Sequence, residues 1–207
     1  MANWLRKLMP QQEKFFPLFN EHADKVEQAA DRLRVSFGAR QPDGAGDLDR
    51  FVEEGRAAAT QIQDKIRNAF VTPFDRSDIK EMTASMQSLL EDMRSVARMR
   101  ASATGMQLDG FTQLIVECAG ELKAGVALLQ DFDKHADDLR RMRDRIGGAR
   151  ERMQALHDDA MLALLANGAD DPLAALASSR LLERVGRLVE RFDEVADHID
   201  DLVLDHV

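Results

Sequence analysis

Hydrophobic residues recur at three- and four-residue intervals along nearly the whole 207-residue chain, the period of one face of an α-helix. A first amphipathic stretch runs from about Gln11 to Phe37, with Phe15, Phe16 and Phe19 near its start. It ends at Gly38, and the Gly- and Pro-containing run GARQPDGAG reads as a loop. A second helix is predicted over about Leu48 to Val71. Pro73 lacks an amide hydrogen and disfavours helix at Thr72, so TPFD ends that element. Asp75 then suits an N-cap, Asp78 a capping-box acid, and Phe74 with Ile79 a hydrophobic staple. From Ile79 the apolar positions Met82, Met86, Leu89, Met93 and Val96 draw a bundle seam.

The pattern breaks around Thr104, Gly105 and Gly110, and a fourth helix carries Phe111, Ile115, Cys118, Leu122, Val126 and Leu129. A fifth, charged helix is expected from about Asp133 to Leu165, apolar at Leu139, Met142 and Ile146 and again at Leu156, Leu162 and Leu165. Gly147–Gly148 in its middle marks an expected kink. NGADDP is the next loop, with Asp171 as cap and Pro172 as a first-turn proline. The last helix shows Val185, Val189, Phe192, Ala196, Ile199 and Val203. The predicted fold class is therefore all-α, a six-helix bundle in one domain over residues 1–207. Leu90, Glu91, Met93, Val96 and Ala97 match Val189, Glu190, Phe192, Val195 and Ala196 at an offset of 99 residues. Two three-helix repeats, about 1–104 and 105–207, would produce this echo; coincidence at bundle spacing would too.

Composition narrows the function classes. With one Trp, no Tyr and ten Phe, the core must be built from aliphatic residues and Met, the usual filling of bundles. A formal charge of -9 is the wrong sign for nucleic acid or anionic lipid headgroups and suits cations or a basic protein surface. The single cysteine cannot form an intramolecular disulfide and suits a reducing compartment. No apolar run approaches the roughly 18–20 residues of a membrane span, and the start MANWLRKLMPQQEKFF lacks the features of a signal peptide, so a cytoplasmic location is expected.

Candidate chemistry is thin. His22, His135, His157, His198 and His206 show no zinc-site spacing with one another or with Cys118, and each is expected to be exposed or flanking. No phosphate loop, nucleophile motif or dinucleotide fingerprint is present, so no enzyme is expected. Glu190, Asp193, Glu194, Asp197, Asp200, Asp201 and Asp205 crowd the C-terminal helix against the single base Arg191. Asp193, Asp197 and Asp201 share a helix face, and acids near a helix C-terminus oppose its dipole. A cation, or basic residues such as Arg140, Arg141, Arg143 and Arg145, should offset them; a solvated acidic face is the plain alternative.

Three segments, LMPQQEKFFPLFNEHADKV, FVTPFDRSDI and LVERFDEVADHIDDLV, occur in an order and spacing that resemble the PhoU-like phosphate transport regulators, often encoded beside Pit-type phosphate permeases. The resemblance covers nearly the whole chain, and TPFDR-x-DI, Thr72 to Ile79, is its most specific part. It implies a six-helix bundle of two three-helix repeats. The function it implies is accessory or regulatory work in phosphate transport, through contact with a Pit-type permease at the inner face of the membrane, with homo-oligomerisation. Thr72, Pro73, Phe74, Asp75, Arg76 and Asp78 are then a candidate partner-contact corner. Helix-start chemistry accounts for Pro73, Phe74, Asp75, Asp78 and Ile79 without a partner and leaves Thr72 and Arg76 less explained.

Related proteins hold clusters of iron or zinc through Glu-x-x-x-Asp motifs, whose spacing puts two carboxylates on one helix face. By that resemblance the candidate ligands here are Glu91, Glu190, Asp193 and Asp197. The chain departs from the pattern at Val52, Arg56, Gln87, Ser88, Arg150, Gln154 and Gly186, where acids are usual. An arginine at a ligand position repels a metal ion, so loss of the cluster is the favoured expectation. An acidic metal-binding bundle without a transport role is the competing reading, and a generic helical scaffold is a third.

Overall fold

A computed structural model describes residues 14–38, 45–100, 106–167 and 171–204. Its elements are α1 (Phe16–Gly38), α2 (Ala45–Asn68), α3 (Arg76–Arg100), α4 (Asp109–Leu128), a 3-10 turn (Leu129–Asp131), α5 (Phe132–Asn167) and α6 (Pro172–Leu204). The all-α bundle of six long helices is thus observed, with no strand among the described residues.

The seam residues expected from spacing form the core. Ile79, Met82, Met86, Leu89, Met93 and Val96 are all fully buried, and so are Val185, Val189, Phe192, Ala196 and Ile199. Burying an aliphatic or Met side chain contributes roughly 1.5–3 kcal/mol, so this continuous seam is the main source of stability. Asp171 caps α6 as expected: its Oδ1 accepts the Ala174 amide at 3.0 Å, with Pro172 in the first turn.

α1 packs on α2, α3 and α4, α3 on α6, and α5 on α4 and α6. The α1–α2–α3 and α4–α5–α6 triplets therefore meet through α1 with α4 and α3 with α6. Ion pairs reinforce both contacts. Lys123 of α4 reaches Asp24 and Glu27 of α1 at 2.8 and 2.6 Å, and Arg191 of α6 reaches Asp92 of α3 at 3.0 Å. The expected boundary between repeats, near residue 104, lies outside the described residues.

Two expectations need correction. The second helix stops at Asn68, so Phe70 and Val71 fall in the connection before Pro73. Gly147 and Gly148 stay helical, and the irregularity in α5 is at His135 (φ -120°, ψ 15°), just after the 3-10 turn hands over to the helix. The apolar Leu162 and Leu165 are 67% and 75% exposed near the end of α5. α5 has 36 residues and α6 33, against 20 to 25 in the other helices. Gly110 at the start of α4 lies opposite Leu156 of α5, so α5 continues roughly 16 Å beyond the end of α4.

Candidate functional site

The TPFDR-x-DI segment forms the corner between α2 and α3. The Ala69 amide still donates to the Lys65 carbonyl at 2.8 Å, closing α2. Arg76 Nη2 donates to the Ala69 carbonyl at 2.7 Å, satisfying one of the acceptors that a helix end leaves unpaired. This gives Arg76 the structural role that the sequence left open. The Ile79 amide donates to the Asp75 carbonyl at 3.1 Å as α3 begins, and Ser77 Oγ donates to Asp78 Oδ1 at 3.1 Å. Phe74 is buried between Phe16 of α1 and Phe132 of α5, with ring centroids 6.2 and 5.5 Å away. It fastens the base of both triplets. Thr72 and Pro73 are half-buried, and Asp75 and Arg76 are exposed. The residue that sequence reasoning missed here is Phe70, an aromatic ring 86% exposed beside the corner.

The acid seams show what replaces the expected ligands. Arg56 of α2 reaches Glu91 of α3 at 2.9 Å and Glu53 at 2.5 Å. Gln87 Nε2 donates to Glu91 Oε1 and to the Val52 carbonyl, both at 3.3 Å. Burial pushes the Glu91 carboxyl up, but hydrogen bonds from Gln87 and Arg56 outweigh it and leave the group below its usual range. On the other side, Arg150 of α5 reaches Asp193 of α6 at 3.1 Å. Arg143 reaches Asp197 at 2.6 Å and Asp200 at 3.8 Å. The bases expected to offset the acid column divide: Arg143 does so, whereas Arg145 pairs with Glu121, Arg140 with Asp137 and Arg141 with Asp138. Glu190 is exposed on an open α5–α6 cleft of about 330 Å³ bordered by Arg150, Gln154, His157 and Arg187.

The structure thus brings Glu91 into one seam and Asp193 and Asp197 into the other, each already occupied by a guanidinium. Among the described residues no three His, Cys, Asp or Glu side chains are grouped to hold a metal ion. This donor set does not fit an iron or zinc cluster, which needs several anionic or imidazole ligands on one ion and no fixed cation among them.

His22 departs from expectation. It is fully buried in α1, and its ring nitrogens make no well-formed hydrogen bond, with the Gln87 amide of α3 the polar side chain beside them. Its Nε2 and Gln87 Oε1 converge on the bare Cα of Gly55, where a Cβ would lie 3.3 and 3.0 Å from them. Burial lowers the imidazole pKa to about 4, and the weak upward pull of Gln87 does not offset it. Cys118 is core as expected, and burial pushes its thiol up to about 12, so it is no nucleophile. His135, His157 and His198 are half-buried, and His206 lies outside the described residues.

At the far end of the α5–α6 hairpin, Leu162, Leu165, Leu173 and Leu176 are 56 to 79% exposed. Two on each helix, three residues apart, they carry core-like spacing onto solvent. No helix among the described residues is long and apolar enough to cross a membrane.

The chain is 29% identical over 217 aligned residues to a Rhizobium meliloti (strain 1021) protein named a putative Pit accessory protein, covering 100% of both. It is 21% identical over 199 residues to UPF0111 protein YkaA of Bacillus subtilis (strain 168), covering 93% of this chain and 96% of that one. A crystal structure of a PhoU-like protein from Shewanella oneidensis MR-1 superposes with a TM-score of 0.69 at 15% identity, over 92% of this chain and 96% of that one. A second from the same organism, titled a putative PhoU-like phosphate regulatory protein, gives 0.70 at 16% identity over 93% and 100%. No family model matches the chain. The PhoU-like fold is shown, and the resemblance read from the sequence holds over the full length of the chain.

Proposed function

We propose that this protein assists or regulates inorganic phosphate transport by binding a Pit-type permease from the cytoplasmic face of the membrane, without catalysing a reaction. The observation that carries the reading is the full-length likeness to a relative named a putative Pit accessory protein. The PhoU-like fold agrees with it.

A binding role is also supported by the surface. Exposed apolar clusters beyond the scattered residues of ordinary surfaces mark interaction sites. Leu162, Leu165, Leu173 and Leu176 form such a cluster on a hairpin that overhangs the bundle. Catalysis has no comparable support, because Cys118 is buried and the acids of both seams are held by arginines.

Tagged at its native locus, the protein should co-purify with a Pit-type permease from detergent-solubilised membranes. Leu165→Glu combined with Leu173→Glu should abolish recovery of the permease while leaving the melting temperature unchanged. Absence of the permease at native expression of both proteins would refute the proposal. Undiminished recovery with the double variant would move the contact away from the hairpin.

A further inference from the structure

We infer that the guanidinium groups of Arg56 and Arg150 are the built-in cations of the two acid seams, so that the bundle needs no divalent metal to hold them. The inference starts from an electrostatic problem in the sequence. Glu190, Asp193 and Asp197 lie three, four and seven residues apart on α6, followed by Asp200 and Asp201 toward its C-terminal end. Carboxylates at that spacing repel, and the negative end of the helix dipole adds to the repulsion. A compensating positive charge is therefore required.

The structure supplies it from a neighbouring helix in the same way twice. In the first triplet the middle helix α2 sends Arg56 to Glu91 of α3 at 2.9 Å. In the second triplet the middle helix α5 sends Arg150 to Asp193 of α6 at 3.1 Å, and Asp193 is only 16% exposed. Arg143, two turns earlier on α5, holds Asp197 at 2.6 Å and stands 3.8 Å from Asp200. The other positions of the two seams are chemically retired as ligands. Val52 offers its carbonyl to Gln87, Gln154 donates to Asp158 at 2.9 Å, and Gly186 has no side chain. A guanidinium is permanently charged and forms directional hydrogen bonds to carboxylate oxygens. It stands against one oxygen of each acid and repels a second cation from the same place. The seams thus carry their own positive charge, independently of the proposed permease contact.

Metal content and metal-dependent melting test this. Protein purified without chelator from medium containing iron, zinc and manganese should carry well under one equivalent of the three combined. Its melting temperature should not move on adding EDTA, Zn²⁺ or Mn²⁺. Stoichiometric metal, or a melting temperature that EDTA lowers, would overturn the inference. Arg150→Glu should melt lower than the parent protein in EDTA and regain stability with Zn²⁺ or Mn²⁺, because the seam then lacks its cation. Unchanged melting of that variant in EDTA would also overturn the inference. Should Arg150→Glu not fold, Arg150→Gln provides the milder measurement. It should melt about 1–3 °C lower at low salt and converge with the parent protein at 1 M salt. Equal melting at low salt would show that Arg150 compensates nothing.

Discussion

Acidification should destabilise this protein through His22 before it does so through its carboxylates. The imidazole is fully buried and carries a pKa lowered from 6.5 to about 4, with burial the leading cause and the weak interaction with Gln87 too small to offset it. Between those values the unfolded chain binds a proton that the folded chain refuses. Stability therefore rises with pH across the window, is fully present above about 6.5, and is lost as pH falls toward 4. Holding the imidazole at about 4 instead of 6.5 corresponds to about 3 kcal/mol of stability at neutral pH. Carboxylates add the same sign lower down: Glu54 is held below its usual range by Lys25 and Asp138 by His135 and Arg141, and their stabilisation is lost below about pH 4.5. The interval from pH 6.5 to 4.5 isolates the histidine. Urea unfolding at pH 7.0, 6.0 and 5.0 at fixed ionic strength should show the parent protein losing stability, approaching about 1.4 kcal/mol per unit in the lower half. His22→Leu should remove that slope. It should also be close to neutral at pH 7, because only a weak interaction with Gln87 is lost while two poorly satisfied polar atoms leave the core. An equal slope in His22→Leu and the parent protein would refute the assignment.

Gly55→Ala should destabilise by about 1–3 kcal/mol in chemical denaturation, since the new methyl would overlap Leu90 Cδ1 and crowd Gln87 and His22; an unchanged midpoint would refute the close approach. Phe74→Ala should cost about 3–5 kcal/mol by removing the ring that joins Phe16 to Phe132, measured in the same way. Cys118 should resist a thiol reagent at pH 8 in the native protein and react fully in urea, because it is 1% exposed with a thiol pKa of about 12. Rapid native labelling would contradict its burial.

Much of the fold could be read from spacing, because a seam repeating every three or four residues has to face a partner helix. That rule even contained the buried histidine. Phe15, just before α1, and Phe19, His22, Val26, Ala29, Leu33 and Phe37 within it form one such register, and all seven are buried. Residue type suggests an exposed histidine, but its position in the seam decides its burial. Leu162 and Leu165 show the converse, apolar positions that stay on the surface. Their spacing is that of a seam, but the helices that would cover them end sooner, and helix lengths become comparable only once the topology is known. Phe70 was absorbed into α2 for a related reason. The break before Pro73 begins several residues earlier than proline sterics require, where Arg76 turns back onto the Ala69 carbonyl.

The seams separate what a sequence can say about a site from what it cannot. By the resemblance to PhoU-like proteins, Arg56, Gln87, Arg150, Gln154 and Gly186 stand where acids are usual, which argues against a metal on charge alone. Which acid each arginine would meet could not be seen, because the pairs join residues 35 and 43 positions apart on different helices. Arg140, Arg141, Arg143 and Arg145 looked equivalent as compensators of the α6 acids, and only Arg143 faces them. The reason is helical phase. Residues two apart lie about 200° apart around an α-helix, so Arg143 points to α6 while Arg145 points to α4 and Glu121. Net charge and local density told that compensation was required; the rotation of α5 decided which guanidinium provides it. The same rotation carries Arg150, seven residues after Arg143, back to the α6 side and onto Asp193. Two arginines one heptad apart thus hold two acids four residues apart, and α5 and α6 are pinned along one line by cations that belong to the chain itself.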